Sequence, residues 1–229
     1  MIHEVDEAIR RLLAESGVPS GGGELAFEAP TSEWTARRNT PTVNVFLYDI
    51  REDMTRRRTG QAEEYDEAGM VVGWRDPPRW YDLSYLVTAW TNRVADEHRM
   101  LAEALASLAP VERLVPRWLT GTLAEQGLSI NLETAGPMSD GRAAADIWTA
   151  LGGELKPAID LRVTAPLAGR RIDAGPPVTE GVVLQGADLS NEDSRHLRYE
   201  ATSAQGTGFA APRPRPEVPA RRRRQVSGP

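Results

Sequence analysis

Four groups of residues have the side-chain types that chemistry would require. A glycine run, SGGGE at residues 20–24, has the composition of a loop whose amides can approach a phosphate. A phosphate loop closes on Lys-Ser or Lys-Thr, however, and the single lysine, Lys156, precedes Pro157. Gly21, Gly22 and Gly23 also leave a predicted helix and enter a predicted strand, the reverse of a dinucleotide fingerprint. The run therefore reads as a flexible linker. The three histidines, His3, His98 and His196, stand too far apart in sequence for a local metal motif. There is no cysteine, which removes thiolate ligands, disulfides and a cysteine nucleophile together. Glu63, Glu64, Asp66 and Glu67 are dense enough for acid–base work, but nothing local accompanies them and they read as solvated surface. The stretch GLSIN at residues 127–131 lacks the second glycine of a serine elbow. The residues thus imply no catalytic group, no cofactor site and no metal centre.

Charge is distributed unevenly. From Ala201 onward six arginines face one acid, Glu217, so the tail carries +5 and the preceding residues −11, which together give the formal −6. No stacking aromatics are interleaved with these arginines, and Phe209 is isolated. The tail is therefore expected to be a flexible solvated segment or an electrostatic tether, and nucleic acid is not an expected partner. The start, MIHEVDEAIRRLL, is acidic and does not resemble a signal peptide, and no run approaches the roughly 20 apolar residues of a membrane span. A cytoplasmic protein with no membrane contact is expected.

The elements follow from periodicity. Val5, Ile9, Leu12 and Leu13 recur at helical spacing behind Glu4, Asp6 and Glu7, acids that favour a helix N-terminus. Residues 24–28 read as a short strand. Residues 42–50 alternate Val43, Val45 and Leu47 against Asn44, Phe46 and Tyr48, and residues 80–90 form a second strand behind Pro77 and Pro78. The spacing predicts a helix over residues 94–108 on a stripe of Val94, His98, Leu101, Leu105 and Leu108. A further helix over residues 142–151 carries Trp148, and strands are expected at 128–132, 158–167 and 178–184. Helices and strands mix without strict alternation. That argues for an α+β (mixed α/β) fold with a mixed sheet packed by helices, one domain over residues 1–199 and a disordered tail over 200–229.

Residues 51–78 hold five arginines and seven acids and read as a long loop or arm. Its isolated apolar patch, Met70, Val71, Val72 and Trp74, together with Arg56, Arg57 and Arg58, forms the expected interface. Leu83, Tyr85, Val87 and Trp90, with His98, Leu101 and Leu105 of the following helix and with Trp148, form the expected core.

Four segments carry a resemblance: VDEAIRRLL near the start, PTVNVFLYDI at residues 41–50, DLSYLVTAW with the trailing EHRML, and DIWTALGGELKPAIDLRVT at residues 146–164. The YLVTAW strand followed by a histidine-bearing helix is the most specific of them. Over residues 1–164 the chain resembles the tail-terminator family of phage-tail-like contractile injection systems, in the amino-terminal domain found in virulence-cassette and antifeeding-prophage caps. The resemblance implies a bacterial structural protein, not an enzyme. It implies a homohexameric ring that meets the inner tube and sheath proteins, stops their polymerisation and stays with the assembled particle. An adaptor or baseplate-like subunit of the same apparatus is the alternative, and a nucleic-acid-binding protein using the basic tail a weaker one.

Overall fold

The computed structural model describes residues 1–67, 69–136, 144–175, 182–186 and 195–199. The residues beyond Tyr199, which hold the basic tail, lie outside them. The chain forms two compact units: Met1–Thr59 with Pro77–Gly169, and Gly60–Asp76 with the described residues from Arg170 onward.

The first unit is built on a six-stranded sheet. Its strands are β1 (Glu24–Ala26), β2 (Thr42–Glu52), β5 (Arg79–Trp90), β6 (Arg113–Leu114), β7 (Ile130–Thr134) and β8 (Ile159–Leu167). The spatial order is β1-β2-β5-β8-β7-β6. β1 runs parallel to β2 and every other pair is antiparallel, so the sheet is mixed. The helices are α1 (Ile2–Glu15), α2 (Ser32–Ala36), α3 (Val94–Leu108), α4 (Gly121–Gln126) and α5 (Ala144–Ala150).

One face of the sheet makes the main core. Because strand side chains alternate, Val43 and Val45 of β2 share that face with Leu83, Tyr85, Val87 and Ala89 of β5 and with Leu161, Val163 and Ala165 of β8. Against it α1 lays Val5, Ala8, Ile9, Leu12 and Leu13, and α3 lays Met100, Ala104 and Leu108. Ile9, Leu12 and Leu13 are at most 1% exposed, and each contributes about 1.5–3 kcal/mol of burial. Two polar ties fix α1. Tyr85 Oη donates to Asp6 Oδ1 at 2.7 Å, while the buried Glu4 carboxylate accepts from the amide and hydroxyl of Thr122 at 2.7 and 2.8 Å.

Leu83, Tyr85 and Val87 lie in this core, with Leu101 partly buried against it, but four expected core positions, Trp90, His98, Leu105 and the buried Trp148, do not. His98 is exposed and Leu105 is 39% exposed. On α3 the buried residues Met100, Ala104 and Leu108 recur every four positions, and at 100° per residue His98 points some 200° away from Met100. Trp90 is only half-buried and does not face α3. Its even position in β5 sends it to the opposite side from Leu83 and Tyr85. There it forms a separate cluster, 5.7 Å from Trp34 and 6.2 Å from the buried Trp148 between ring centroids.

Residues 51–78 are not a long loop. β2 continues to Glu52 and β5 begins at Arg79; between them stand a one-turn 3-10 helix (Met54–Arg56) and the hairpin β3 (Ala62–Tyr65) and β4 (Val71–Arg75). The hairpin belongs to the second unit, where β9 (Arg171–Asp173) adds antiparallel to β4. A further antiparallel pair, β10 (Val182–Gly186) and β11 (Arg195–Tyr199), completes the described part of that unit.

Candidate functional site

The three-stranded ribbon β3-β4-β9 has two unlike faces. The register sets Trp74 between Glu63 and Ile172, and places Arg75 between Ala62 and Arg171. Trp74 therefore shares one face with Glu63 and Ile172, while Arg75 lies on the other; a register shift between Glu64 and Tyr65 skips Val72 and sets Val71 opposite Tyr65. All four side chains of the expected patch, Met70, Val71, Val72 and Trp74, are half-buried. On the charged face Glu64 accepts from Arg75 Nε at 2.5 Å and from Arg171 Nε at 2.6 Å. Arg171, and then Arg75, hold its carboxyl below the ordinary carboxylate range. Gly73 permits the close approach of β9, since a β-carbon there would fall 2.8 Å from the Ile172 carbonyl oxygen. The connecting turn is closed by Asp66, whose Oδ1 and amide meet the amide and carbonyl of Met70 at 2.8 and 2.9 Å.

Arg56, Arg57 and Arg58 belong to the first unit, whereas that patch belongs to the second. Asp53 caps their 3-10 turn by accepting from the Thr55 amide at 3.0 Å. Arg56 pairs with Asp53 at 3.2 Å and lies 4.8 Å over the Trp80 ring, and Arg57 pairs with Glu52 at 3.4 Å. Arg58 is exposed.

The second face of the sheet carries surfaces that the sequence reading passed over. Arg56, Glu112, Arg113, Asn131, Glu133, Arg162 and Thr164 line an open hollow of about 380 Å³. The pairing of β6, β7 and β8 creates it: Arg113, Asn131 and Thr164 stand in one cross-strand row, and Glu133 and Arg162 in another. Phe46, Tyr48, Asp146, Ile147, Ala150 and Leu151 line a more apolar groove of about 340 Å³. At its edge Tyr48 Oη donates to Asp160 Oδ1 at 2.7 Å; burial, and then Asp160, push the phenol up to about 12. Alternation along β7 and β8 was the available signal, because residues facing away from the core had to lie on one shared surface.

At the end of β5, Lys156 Nζ lies 4.1 Å from the centroid of Trp90 and 2.6 Å from Glu97 Oε1. The lysine is thus a strut between β5 and the start of α3. Among the described residues no group of three or more His, Asp or Glu side chains is placed to hold a metal ion. No described helix is long and apolar enough to cross a membrane. What the geometry provides is a set of binding surfaces: a polar hollow, an apolar groove and a two-faced ribbon.

The family model of the Pvc16 N-terminal domain matches residues 4–180. No curated protein matches the chain in sequence. Among solved structures, the chain is similar to the sheath/tube terminator of the extracellular contractile injection system PVC in its extended state. That likeness has a TM-score of 0.56 and 22% identity, and covers 84% of this chain and 66% of that one. It is also similar to the tube-terminating cap of the anti-feeding prophage, with a TM-score of 0.51 and 19% identity over 78% of this chain and 60% of that one. At these identities the likeness is one of fold, and the chain spans less than two thirds of the length of either protein.

Proposed function

Since the chain belongs to the Pvc16 N-terminal domain family, we propose that it is a structural cap of a contractile injection system, ending the growth of tube and sheath. The observation that carries this reading is the family match over residues 4–180, which takes in every strand of the six-stranded sheet and of the ribbon. The two similar structures, a sheath/tube terminator and a tube-terminating cap, support it.

The physical task suits the chain. The end of a stacked tube exposes unpaired surface that templates the next layer. A cap satisfies that surface on one side and offers no complementary surface on the other. In this reading six copies form a ring through head-to-tail contacts, which close when the rotation between neighbours divides a full turn. The work is done by surfaces rather than by reactive groups, so the protein acts without catalysis and needs no cofactor. Its partners are other copies of itself, the inner tube protein and the sheath protein. The charge of −11 carried before the tail keeps the association of free copies weak, and a tube end supplies the further attraction that a stable ring needs.

The test is removal of the protein from cells that build the particle, followed by measurement of tube length. The proposal expects tubes of widely scattered length, with the uniform length restored when the protein is resupplied. Uniform particles without it would overturn the reading.

A further inference from the structure

The hollow on the second face of the sheet holds three guanidiniums, Arg56, Arg113 and Arg162, and two carboxylates, Glu112 and Glu133. Their states differ. Arg162 lies 3.7 Å from Glu133, and Arg56 is paired with Asp53. Arg113 is exposed and makes no ion pair among the described residues. It stands on β6, the two-residue strand at the edge of the sheet, at the open end of the row that continues through Asn131 and Thr164. The hollow therefore presents a guanidinium that makes no ion pair among the described residues, with the Glu112 carboxylate and the neutral side chains of Asn131 and Thr164 in the same lining.

An acidic element of matching kind occurs in the other unit. Residues 62–67 carry four acids and no base. Glu64 is consumed by Arg75 and Arg171, and Glu63 accepts from the Tyr65 hydroxyl. Asp66 and Glu67 remain exposed in the turn that joins β3 to β4. One carboxylate oxygen of Asp66 closes the turn on Met70, which holds the turn in shape, and both Asp66 and Glu67 are exposed.

We propose that the Asp66–Glu67 turn of one copy docks in the Arg113 hollow of the next. This deepens the ring reading and rests on it. The contact is heterologous, since it uses a different surface on each copy, and repeated around a circle it gives every copy one turn inserted and one hollow filled. Planar guanidinium to carboxylate pairing fixes the orientation of the turn.

The chain has no cysteine, so single thiols can be placed beside the charges without removing any of them. Full-length Met70→Cys and Asn131→Cys chains are mixed, oxidised and separated by mass. Random collision yields mixed disulfide dimers equal to the two like dimers together; docking should raise that ratio about three-fold at low salt, and the excess should vanish near 1 M salt, where charges interact over only about 3 Å. Adding Arg113→Glu to the second chain should abolish the excess, Arg113→Lys should keep it, and Glu67→Arg on the first chain should restore it against Arg113→Glu. A random ratio, an absence of disulfides, or an excess indifferent to Arg113→Glu would overturn the proposal. Capped tubes without the excess would refute this contact alone, whereas the excess with uncapped tubes would refute the cap reading.

Discussion

Tyr85 on the central strand and Asp6 on the first helix are joined by a hydroxyl–carboxylate hydrogen bond of 2.7 Å, although 79 residues separate them in sequence. Tyr85 is fully buried and Asp6 half-buried, so the bond ties the first helix to the core. Burial raises the Asp6 pKa and the Tyr85 hydroxyl partly offsets that rise. Tyr85→Phe should keep the packing and strip the carboxylate of its donor, at a cost of about 1–3 kcal/mol. Tyr85→Ala, which also empties the site, should cost about 3–5 kcal/mol. Urea unfolding of the two variants measures the difference, and a Tyr85→Phe protein as stable as the parent would show that the hydroxyl contributes nothing.

Glu4 predicts the acid response of the fold. Burial alone would raise its pKa, but the N-terminal ammonium and the Thr122 hydroxyl and amide outweigh it and hold the carboxyl below its ordinary value of 4.5. A lowered folded pKa gives stability that is present above the unfolded value and lost as pH falls through the folded one. Asp6 has the opposite sign: its raised pKa penalises the ionised form, and the penalty is relieved on acidification. Glu4→Gln should therefore lower stability at neutral pH by about 1–3 kcal/mol and flatten the decline toward about pH 3. Denaturation midpoints across that range provide the check, and parallel curves for the two proteins would exclude Glu4 as the source.

Gly73→Ala should loosen the ribbon and leave the sheet intact. The added methyl would press on the Ile172 carbonyl, which cannot yield without parting β9 from β4; the expected cost is about 1–3 kcal/mol. Hydrogen exchange should quicken at residues 62–75 and 171–173 while the amides of β2 and β5 keep their protection. Unchanged exchange in the ribbon would show that β9 does not depend on the close approach.

Trp74→Ala removes the largest side chain from the less charged face of the ribbon. If that face meets a neighbouring subunit or the tube, the loss of an aromatic anchor weakens the contact by ~2 kcal/mol or more. The free chain should unfold at nearly its original temperature, and particles built with it should have tubes of uncontrolled length. Uniformly capped particles would remove Trp74 from the contact.

Much of the first unit was legible because its strands alternate. Val43 and Val45 against Asn44, and Ile159, Leu161 and Val163 against Asp160 and Arg162, announce strands with one face in a core. The helix over Val94–Leu108 was found at its true bounds, yet its face was misread. Val94 and Leu105 gave an apolar rhythm, whereas the packing falls on Met100, Ala104 and Leu108, where a small alanine lets the helix approach the sheet. The ribbon was hidden for another reason. Its strands have four, five and three residues, too few for a period to emerge, and β9 pairs with β4 from roughly a hundred residues away. The Arg113 hollow escaped notice because it exists only through pairing: Arg113, Asn131 and Arg162 belong to three strands and share no motif.

The central claim concerns position in an assembly, and cryo-electron microscopy of the intact particle with this subunit located tests it most directly. The cap reading predicts six copies in one ring on the terminal layer of tube and sheath, with none along the shaft. Density for the subunit at the baseplate end, or its absence from purified particles, would contradict it.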